Sequence, residues 1–564
     1  MYQIKDSCSG CHYCKLACPM QAIYFDGPKY QIDSELCVDC GLCERLCPTC
    51  SVYDVTEKPI SVTHGKIIRE CDVCVCGGGS GLVAAVKAAQ LGKKIILLEK
   101  AKRVGGNTDI AHAFFPVYSK IHHENGVEDL RENAVRDLSA RTGGVIGEDL
   151  MRTAVYGCTE FVDWLVDFPN AREFFTFERL GQKRSVGPVY GPAVFGFPKR
   201  IENRLSKDPS IGPGWMGSFV KKTMLEAIPA QKLDVEILLN HAARRLITNE
   251  TGNITGVLAQ DPGGETEIRC KAVILATGGY GGSDEKLQKY FGFFDVERPL
   301  MRFSIPSNTG DAIDMLQGMG VEPDPERMFI STFGPAHHPY SYCLYRALDH
   351  PTTLHVNLNG KRWADESIGL MGGAAHIKGS PGEVSWGVYT QKNIDDIMSA
   401  FLNDPSLADE YDCYECYQED LDKEAGYLKP PVVKAETLWE LASKLDIDPS
   451  SLTKTVEDYN RFCLEGKDEE FGKSPDFLVP REQGPYYAVY GQLFSECSAG
   501  GLMVDDKCRV LRNDKTPIPG LYAAGDATSA MHRRGELAVI SELTWAMASS
   551  YRSALEASKD MEVQ

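Results

Sequence analysis

The chain has 564 residues, 43% of them hydrophobic and 25% charged, which is enough for several domains with buried cores. Its 60 basic residues stand against 79 acidic ones, and the net charge of -19 argues against nucleic acid and against an anionic membrane surface as partners. No run reaches the roughly eighteen apolar residues of a membrane helix, and the opening Met1-Tyr2-Gln3-Ile4-Lys5-Asp6 has no apolar signal region, so the expectation is no export, no membrane and a cytoplasmic location. Twenty cysteines in so large a chain point to metal or redox work in a reducing compartment.

The first element is a repeated cysteine register. Cys8, Cys11, Cys14 and Cys18 precede Pro19, and Cys37, Cys40, Cys43 and Cys47 precede Pro48, so one C-x2-C-x2-C-x3-C-P run recurs after 37 - 8 = 29 residues. Each run matches the bacterial ferredoxin signature of a four-iron cluster. Three thiolates two residues apart wrap one cubane from a tight turn, and proline turns the chain away. Zinc needs four ligands per ion and would leave the third and fourth cysteines of each run unexplained. Similarity to two-cluster ferredoxins implies a crossed set, with Cys8, Cys11, Cys14 and Cys47 on one [4Fe-4S] cluster and Cys37, Cys40, Cys43 and Cys18 on the other. Cys50, and the Cys413-x2-Cys416 pair in an acidic stretch, read as bystanders.

Next, Cys71 to Cys76 reads as a buried parallel strand in which free cysteine acts as a small hydrophobe. Gly77, Gly78, Gly79, Ser80 and Gly81 follow, then an Ala-rich helix to Gln90, a turn at Gly92, and a strand from Ile95 to Leu98 ending in Glu99 and Lys100. Strand, glycines, helix, strand and acid in this order make the βαβ unit that holds an ADP moiety: glycine backbone meets the pyrophosphate at a helix N-terminus, and Glu99 can accept the ribose hydroxyls. Either Cys76 occupies the usual first glycine slot, or the loop is one residue shorter and Gly77 makes the turn.

Later segments select the dinucleotide. Gly105-Gly106-Asn107-Thr108 follows the second strand; Lys271 to Thr277 is another strand, ending Ala276-Thr277-Gly278-Gly279; Ile518 to Asp526 is a strand closing on Gly525 and Asp526, ahead of a long helix from about Glu536 that includes Leu537. An NAD domain does not need this last segment. It suits the FAD ribityl chain, with a helix end aimed at the flavin.

With Thr309-Gly310-Asp311, Val356-Asn357, Gly360-Lys361-Arg362-Trp363, Asp365-Glu366, the stretch from Glu436-Thr437-Leu438 through Ile447-Asp448-Pro449, Tyr459-Asn460 and Asp468 to Phe471-Gly472, and Gly500-Gly501-Leu502, the chain from 70 to 560 resembles the fumarate reductase and succinate dehydrogenase flavoprotein family, in particular its soluble branch with urocanate reductase and 3-ketosteroid dehydrogenases. The resemblance implies an α/β Rossmann-like FAD-binding domain interrupted by an α+β capping domain, with an N-terminal α+β ferredoxin-like domain. Residues 1–58 are the ferredoxin-like part, 70–325 and 491–564 the two parts of the FAD domain, and 326–490 the cap. Asn107 stands where complex II relatives carry the histidine that binds flavin covalently, so non-covalent FAD is expected, and His112 is a poor substitute.

The substrate site departs from the family. Fumarate reductases place a proton-donating arginine four residues after the cap glutamate; from Glu366 that position is Leu370. His338, before Pro339, fits the family's substrate histidine, with His337 as a spare donor. The proton relay between that histidine and Val356 is shortened, with Arg346 as its arginine. Cys497 replaces the histidine before the last Gly-Gly, and Arg533 or Arg534 fits the C-terminal arginine. His338 and Arg534 are expected to polarise the substrate, and Arg346 or a tyrosine (Tyr342, or Tyr340 or Tyr345) to give the proton. The reaction expected is reduction of an activated C=C bond, enone or enoate but not fumarate, in an anaerobic cell, with electrons from ferredoxin, flavodoxin or a partner reductase. The alternatives are a dehydrogenase running in reverse and an electron-transfer subunit of a larger complex. Oligomeric state stays open.

Overall fold

The strand Val73–Cys76 is the pivot of a six-stranded sheet. The computed structural model describes residues 2–5, 14–15, 18, 20, 22–25, 30–46, 51–55, 66–111, 116–142, 144–169, 171, 176–177, 194–195, 216–291, 301–302, 304–305, 307–324, 329–335, 347–348, 350–368, 376–377, 380–402, 432–499, 501–528 and 542–563. The sheet order is Val235–Leu239, Ile95–Glu99, Val73–Cys76, Ala272–Leu275, Pro517–Ala523, Arg509–Leu511. All neighbours run parallel except the last pair.

The apolar runs explain this placement, because a parallel strand covered on both faces has no polar side to show. Val73 and Val75 enter a core with Leu82 and Val86 of helix Gly81–Gln90, Phe219 of Met216–Ala230 and Met547 of Glu542–Val563. Cys74 and Cys76 face the opposite core, with Val257, Ala259 and Ile268. Those three belong to a second sheet ordered Ala242–Thr248, Ile254–Asp261, Gly264–Arg269, Ile67–Glu70. Each Val or Leu buried in this way contributes about 1.5–3 kcal/mol.

After Val73–Cys76 the chain steps outward through Ile95–Glu99 to Val235–Leu239, then returns to the other flank of Val73–Cys76 with Ala272–Leu275. The winding reverses between those two strands, and a ligand crevice opens outside the carboxyl ends of strands at such a point. The loop after each is rich in glycine.

A third sheet is organised by the 14-residue strand Tyr486–Ala499. Val384–Thr390 and Val432–Ala435 pair with its first half, Phe329–Pro335 and Met301–Arg302 with its second, and Leu354–Val356 extends the Val384–Thr390 side. The expected boundary between 490 and 491 therefore falls inside one continuous strand.

Beside this sheet lies a buried ion network. Arg362 reaches Glu366 through Nε and Nη2 at 2.9 Å each, and Asp468 through Nη1 and Nη2 at 2.9 Å each. Lys473 Nζ meets Glu366 Oε2 at 3.0 Å and the Thr353 carbonyl at 2.7 Å. These four side chains are at most 1% exposed. Two cations and two anions cancel, and that neutrality makes their burial tolerable. Burial alone would raise the Glu366 pKa, but Lys473 and Arg362 outweigh it and hold the carboxyl at about 2. Asp468 sits at about 2 as well: burial pushes it up, and hydrogen bonds from Arg362 and the Lys473 amide win.

At the N-terminus Tyr2–Ile4 pairs antiparallel with Val52–Asp54, and Ile23–Phe25 with Tyr30–Ile32. Ile23 and Val52 are 52 - 23 = 29 residues apart, so the cysteine repeat is also a repeat of strands. Ile4, Cys14, Ile23, Tyr30, Cys43 and Val52 form its small core.

The ion network gives a first prediction. Asp468→Ala leaves Arg362 short of one anion and should destabilise the fold by about 3–5 kcal/mol in denaturant titration. Both carboxyls are depressed in the folded state, so their contribution is complete above the unfolded value near 4 and fades as pH falls through about 2.

Candidate cofactor and redox site

The loops after three adjacent parallel strands meet at one edge of the main sheet. Gly77 makes the turn after Val73–Cys76, with φ at +107, while Cys76 ends the strand fully buried. Of the two alternatives for the glycine slot, this is the shorter loop. A Cβ on Gly77 would lie 2.1 Å from the Ala276 carbonyl oxygen. One on Gly79 would lie 2.8 Å from Thr108 Oγ1 and 2.9 Å from the Gly105 carbonyl oxygen. Side chains are excluded there, which leaves backbone facing the crevice. Gly81 packs against Val75 and Ala276, letting the helix start close to the sheet.

Glu99 ties the glycine loop to the next strand. Its Oε2 accepts from the Gly78 amide and its Oε1 from the Ala101 amide, each at 2.8 Å. Burial raises its pKa against the pull of these two N–H groups and Lys100. Lys100 Nζ pairs with Asp311 Oδ2 at 2.8 Å and Thr309 Oγ1 at 2.9 Å. Gly105, at φ +135, lets its amide reach the Gly78 carbonyl at 2.9 Å. Asn107 bonds to the 304–305 segment: Oδ1 accepts from the Ile305 amide at 2.9 Å, and Nδ2 donates to Ser304 Oγ at 3.3 Å.

Gly525 lies across from Ser80, where an added Cβ would be 3.2 Å from its Oγ, and the Gly525 amide donates to Ser549 Oγ at 2.9 Å. The terminal acid segment thus stands over the glycine loop. Burial, with Glu542 adding to it, lifts the Asp526 carboxyl to about 7. Thr277 Oγ1 is buried and has no hydrogen-bond partner among the described residues. A glycine cradle, an unpartnered hydroxyl and a half-buried acid fit a polyhydroxylated dinucleotide such as FAD, whose hydroxyls and pyrophosphate would satisfy them.

Of the cluster cysteines, Cys14, Cys18, Cys37, Cys40 and Cys43 are described, and Cys8, Cys11 and Cys47 lie outside the described residues. The Cys40 thiol is pushed up to about 12, first by burial and then by the neighbouring sulfurs of Cys18 and Cys37. Cys43 is raised by burial and by Cys40, Cys18, Cys37 and Cys14. Cys18 therefore stands among the cysteines of the second run. Backbone amides already point at sulfur: Ala22 N–H at Cys18 Sγ at 3.3 Å, Asp39 N–H at Cys37 Sγ at 3.4 Å. Crowded thiols that suppress one another's ionisation suit a cationic metal centre, which deprotonates its ligands. Among the described residues no group of three or more His, Cys, Asp or Glu is arranged to hold a single metal ion. A cubane differs, because each thiolate takes its own iron at a separate corner.

His338, Tyr342, Arg346, Arg534, Leu537, Leu370 and His112 lie outside the described residues, as do His337, Tyr340, Tyr345, Arg533, Cys50, Cys413 and Cys416. Sequence reasoning missed Ser549, Asn308 beside Gly278, and the pair Lys102 and Arg103, which touch the ferredoxin-like unit. The last pair had a signal: a short basic run in an acidic chain.

Residues 72–541 match the FAD binding domain family, and residues 7–50 the 4Fe-4S dicluster domain. The chain belongs to the fumarate reductase and succinate dehydrogenase flavoprotein family. It is an oxidoreductase that carries FAD and iron–sulfur clusters. A vinyl phenol reductase of Lactiplantibacillus plantarum is 27% identical over 82% of this chain and 90% of its own length. A urocanate reductase of Eggerthella lenta is also 27% identical, over 86% of this chain and 74% of its own. The 3-ketosteroid Δ1-dehydrogenase of Sterolibacterium denitrificans shares the fold, with a TM-score of 0.65 at 20% identity over 87% of this chain and 99% of that one. Among the described residues no helix of this flavoprotein is long and apolar enough to cross a membrane.

Two predictions concern the flavin site. Gly77→Ala drives a Cβ into the Ala276 carbonyl and should lower FAD affinity by about tenfold or more, read as flavin absorbance per protein after desalting. In the flavin-free protein, the raised Asp526 carboxyl contributes stability fully below its unfolded value near 4, and that contribution is lost as pH rises through about 7. Asp526→Asn should flatten this stretch of the stability–pH curve.

Proposed function

We propose that this flavoprotein reduces an activated C=C bond, an enone or enoate other than fumarate, with low-potential electrons received through its N-terminal clusters. The six-stranded sheet around Val73–Cys76 is its Rossmann-like FAD domain, formed by 70–325 and 491–564, and 326–490 is the cap that closes on substrate, the two sharing the strand Tyr486–Ala499. FAD is held without a covalent bond, since Asn107 offers no nucleophile. A cytoplasmic location and a soluble donor of the ferredoxin, flavodoxin or reductase type complete the reading.

The observation that carries it is Leu370. Glu366 is fixed by Arg362 and Lys473, so the count along the cap motif starts from a firm point, and the residue four positions on is a leucine. A leucine cannot donate a proton, and its apolar side chain suits a larger, less charged substrate than a C4 dicarboxylate. The relatives named for vinyl phenol and urocanate both act on unsaturated compounds, which supports this class.

Bound FAD supplies hydride chemistry, and the clusters supply single electrons. The chain's own part is to orient and protonate. His338 and Arg534 donate hydrogen bonds to the carbonyl or carboxyl oxygen of the substrate and draw charge away from the double bond. Arg346 or Tyr342 delivers the proton to the carbon opposite the one that receives hydride.

The test is anaerobic reoxidation of the reduced holoenzyme by fumarate, cinnamates, urocanate, enone steroids and flavonoid-type ketones. Rapid flavin reoxidation by a bulky compound, with fumarate slower by about 100-fold or more, is the expected result. Fast turnover of fumarate would sink the proposal, because another group would then be doing the work of the missing arginine. Inertness toward the whole panel would favour an electron-transfer subunit. Replacing the true donor, Arg346→Ala or Tyr342→Phe, should cost about 100- to 10,000-fold in kcat with FAD content unchanged.

A further inference from the structure

The basic run Lys100-Ala101-Lys102-Arg103 joins the strand Ile95–Glu99 to the Gly105-Gly106 turn. Lys100 is committed to Asp311 within the flavin domain. The next two bases turn to the ferredoxin-like unit. Lys102 Nζ pairs with Asp39 Oδ2 at 3.3 Å and lies 5.7 Å from the centre of the Tyr2 ring. Arg103 Nη1 donates to the Cys37 carbonyl oxygen at 3.3 Å. Its other terminal nitrogen, Nη2, is buried and has no hydrogen-bond partner among the described residues. A buried unpaired N–H is costly, and more so on a charged group, so this one calls for an acceptor.

The charge of Arg103 acts on the thiols of Cys37 and Cys40. Cys18, Cys37, Cys40 and Cys43 crowd together, so sulfur is the acceptor chemistry at hand. In the other direction, Arg103 is three residues from Gly106, at most about 11 Å of extended chain. The Gly105 amide is bonded to Gly78 of the dinucleotide loop.

We propose that Arg103 donates through Nη2 to the cluster held by Cys37, Cys40 and Cys43, and that this cluster, rather than the one bearing Cys8, Cys11 and Cys14, hands electrons to the flavin. This rests on the electron path stated under the proposed function. Each one-electron reduction adds a negative charge to the cluster. A guanidinium N–H aimed at its sulfur stabilises the reduced form and raises its potential. Electrons from a ferredoxin- or flavodoxin-type donor then collect one at a time on that cluster, and two such transfers complete the flavin's two-electron reduction.

The test is an EPR-monitored redox titration of the holoenzyme, comparing wild type with R103Q and R103K. In R103Q, with iron and FAD content unchanged, the midpoint of one cluster should fall while the other cluster and the flavin stay put. The cluster that moves should be the one magnetically coupled to the one-electron-reduced flavin. R103K, which keeps the charge but not the fork, should move it less. Unchanged midpoints, equal shifts of both clusters, or a shift confined to the uncoupled cluster would overturn the proposal. If R103Q loses iron, R103K decides, and an unshifted midpoint there counts against it. Failure of the underlying reading looks different: wild-type enzyme with both clusters reduced would leave its FAD oxidised.

Discussion

Everything in the flavin half depends on backbone approaching backbone at the carboxyl ends of Val73–Cys76 and Ala272–Leu275. Gly77 turns so tightly against the Ala276 carbonyl that no side chain fits. Gly79 also stands too close to Thr108 and the Gly105 carbonyl for a side chain, and Gly525 closes from the third strand. The result is an edge where amides and a few buried polar groups face a crevice, with apolar layers behind them. Glu99 holds that edge by accepting from Gly78 and Ala101 together, so the acid that suits a ribose also fixes the loop around it.

The region around Tyr486–Ala499 is held by a different kind of force. There the interior contains ions, and they persist because Arg362 and Lys473 are matched by Glu366 and Asp468 with well-formed hydrogen bonds. Arg481 is buried too, and it is satisfied by the carbonyls of Val388, Val479 and Thr352. Such an interior tolerates little rearrangement, since moving one member strands a charge. A rigid frame of this kind fixes Glu366 and the motif around it in one place.

Between the flavin half and the cysteine-rich unit, Lys102 and Arg103 make contact among the described residues, with Asp39 and the Cys37 carbonyl. Lys102 and Arg103 lie on the same chain stretch that runs into the Gly105-Gly106 turn. The same few residues thus touch the cysteine-rich unit and lead into the dinucleotide loop.

Much of this was legible in the sequence because it is periodic or local. The 29-residue cysteine repeat announced two like halves, and it recurs in the strands, since each half must fold the same turn around its own cubane. The order of strand, glycines, helix, strand and Glu99 could be read because each step constrains only its chain neighbours. The six-stranded order was not legible, since it depends on which distant strand flanks Val73–Cys76. The partnership of Arg362 with Asp468, 106 residues away, was likewise a tertiary matter: sequence shows two charges, and only burial at one point makes them a pair. The same holds for Gly77 over Cys76 as the turning residue, and for Arg103 against Cys37. By itself the sequence determined the cofactors and the family, because their motifs are short and chemically strict. The tertiary structure decided which charges, amides and sulfurs stand together, because that depends on contacts between segments the chain keeps far apart.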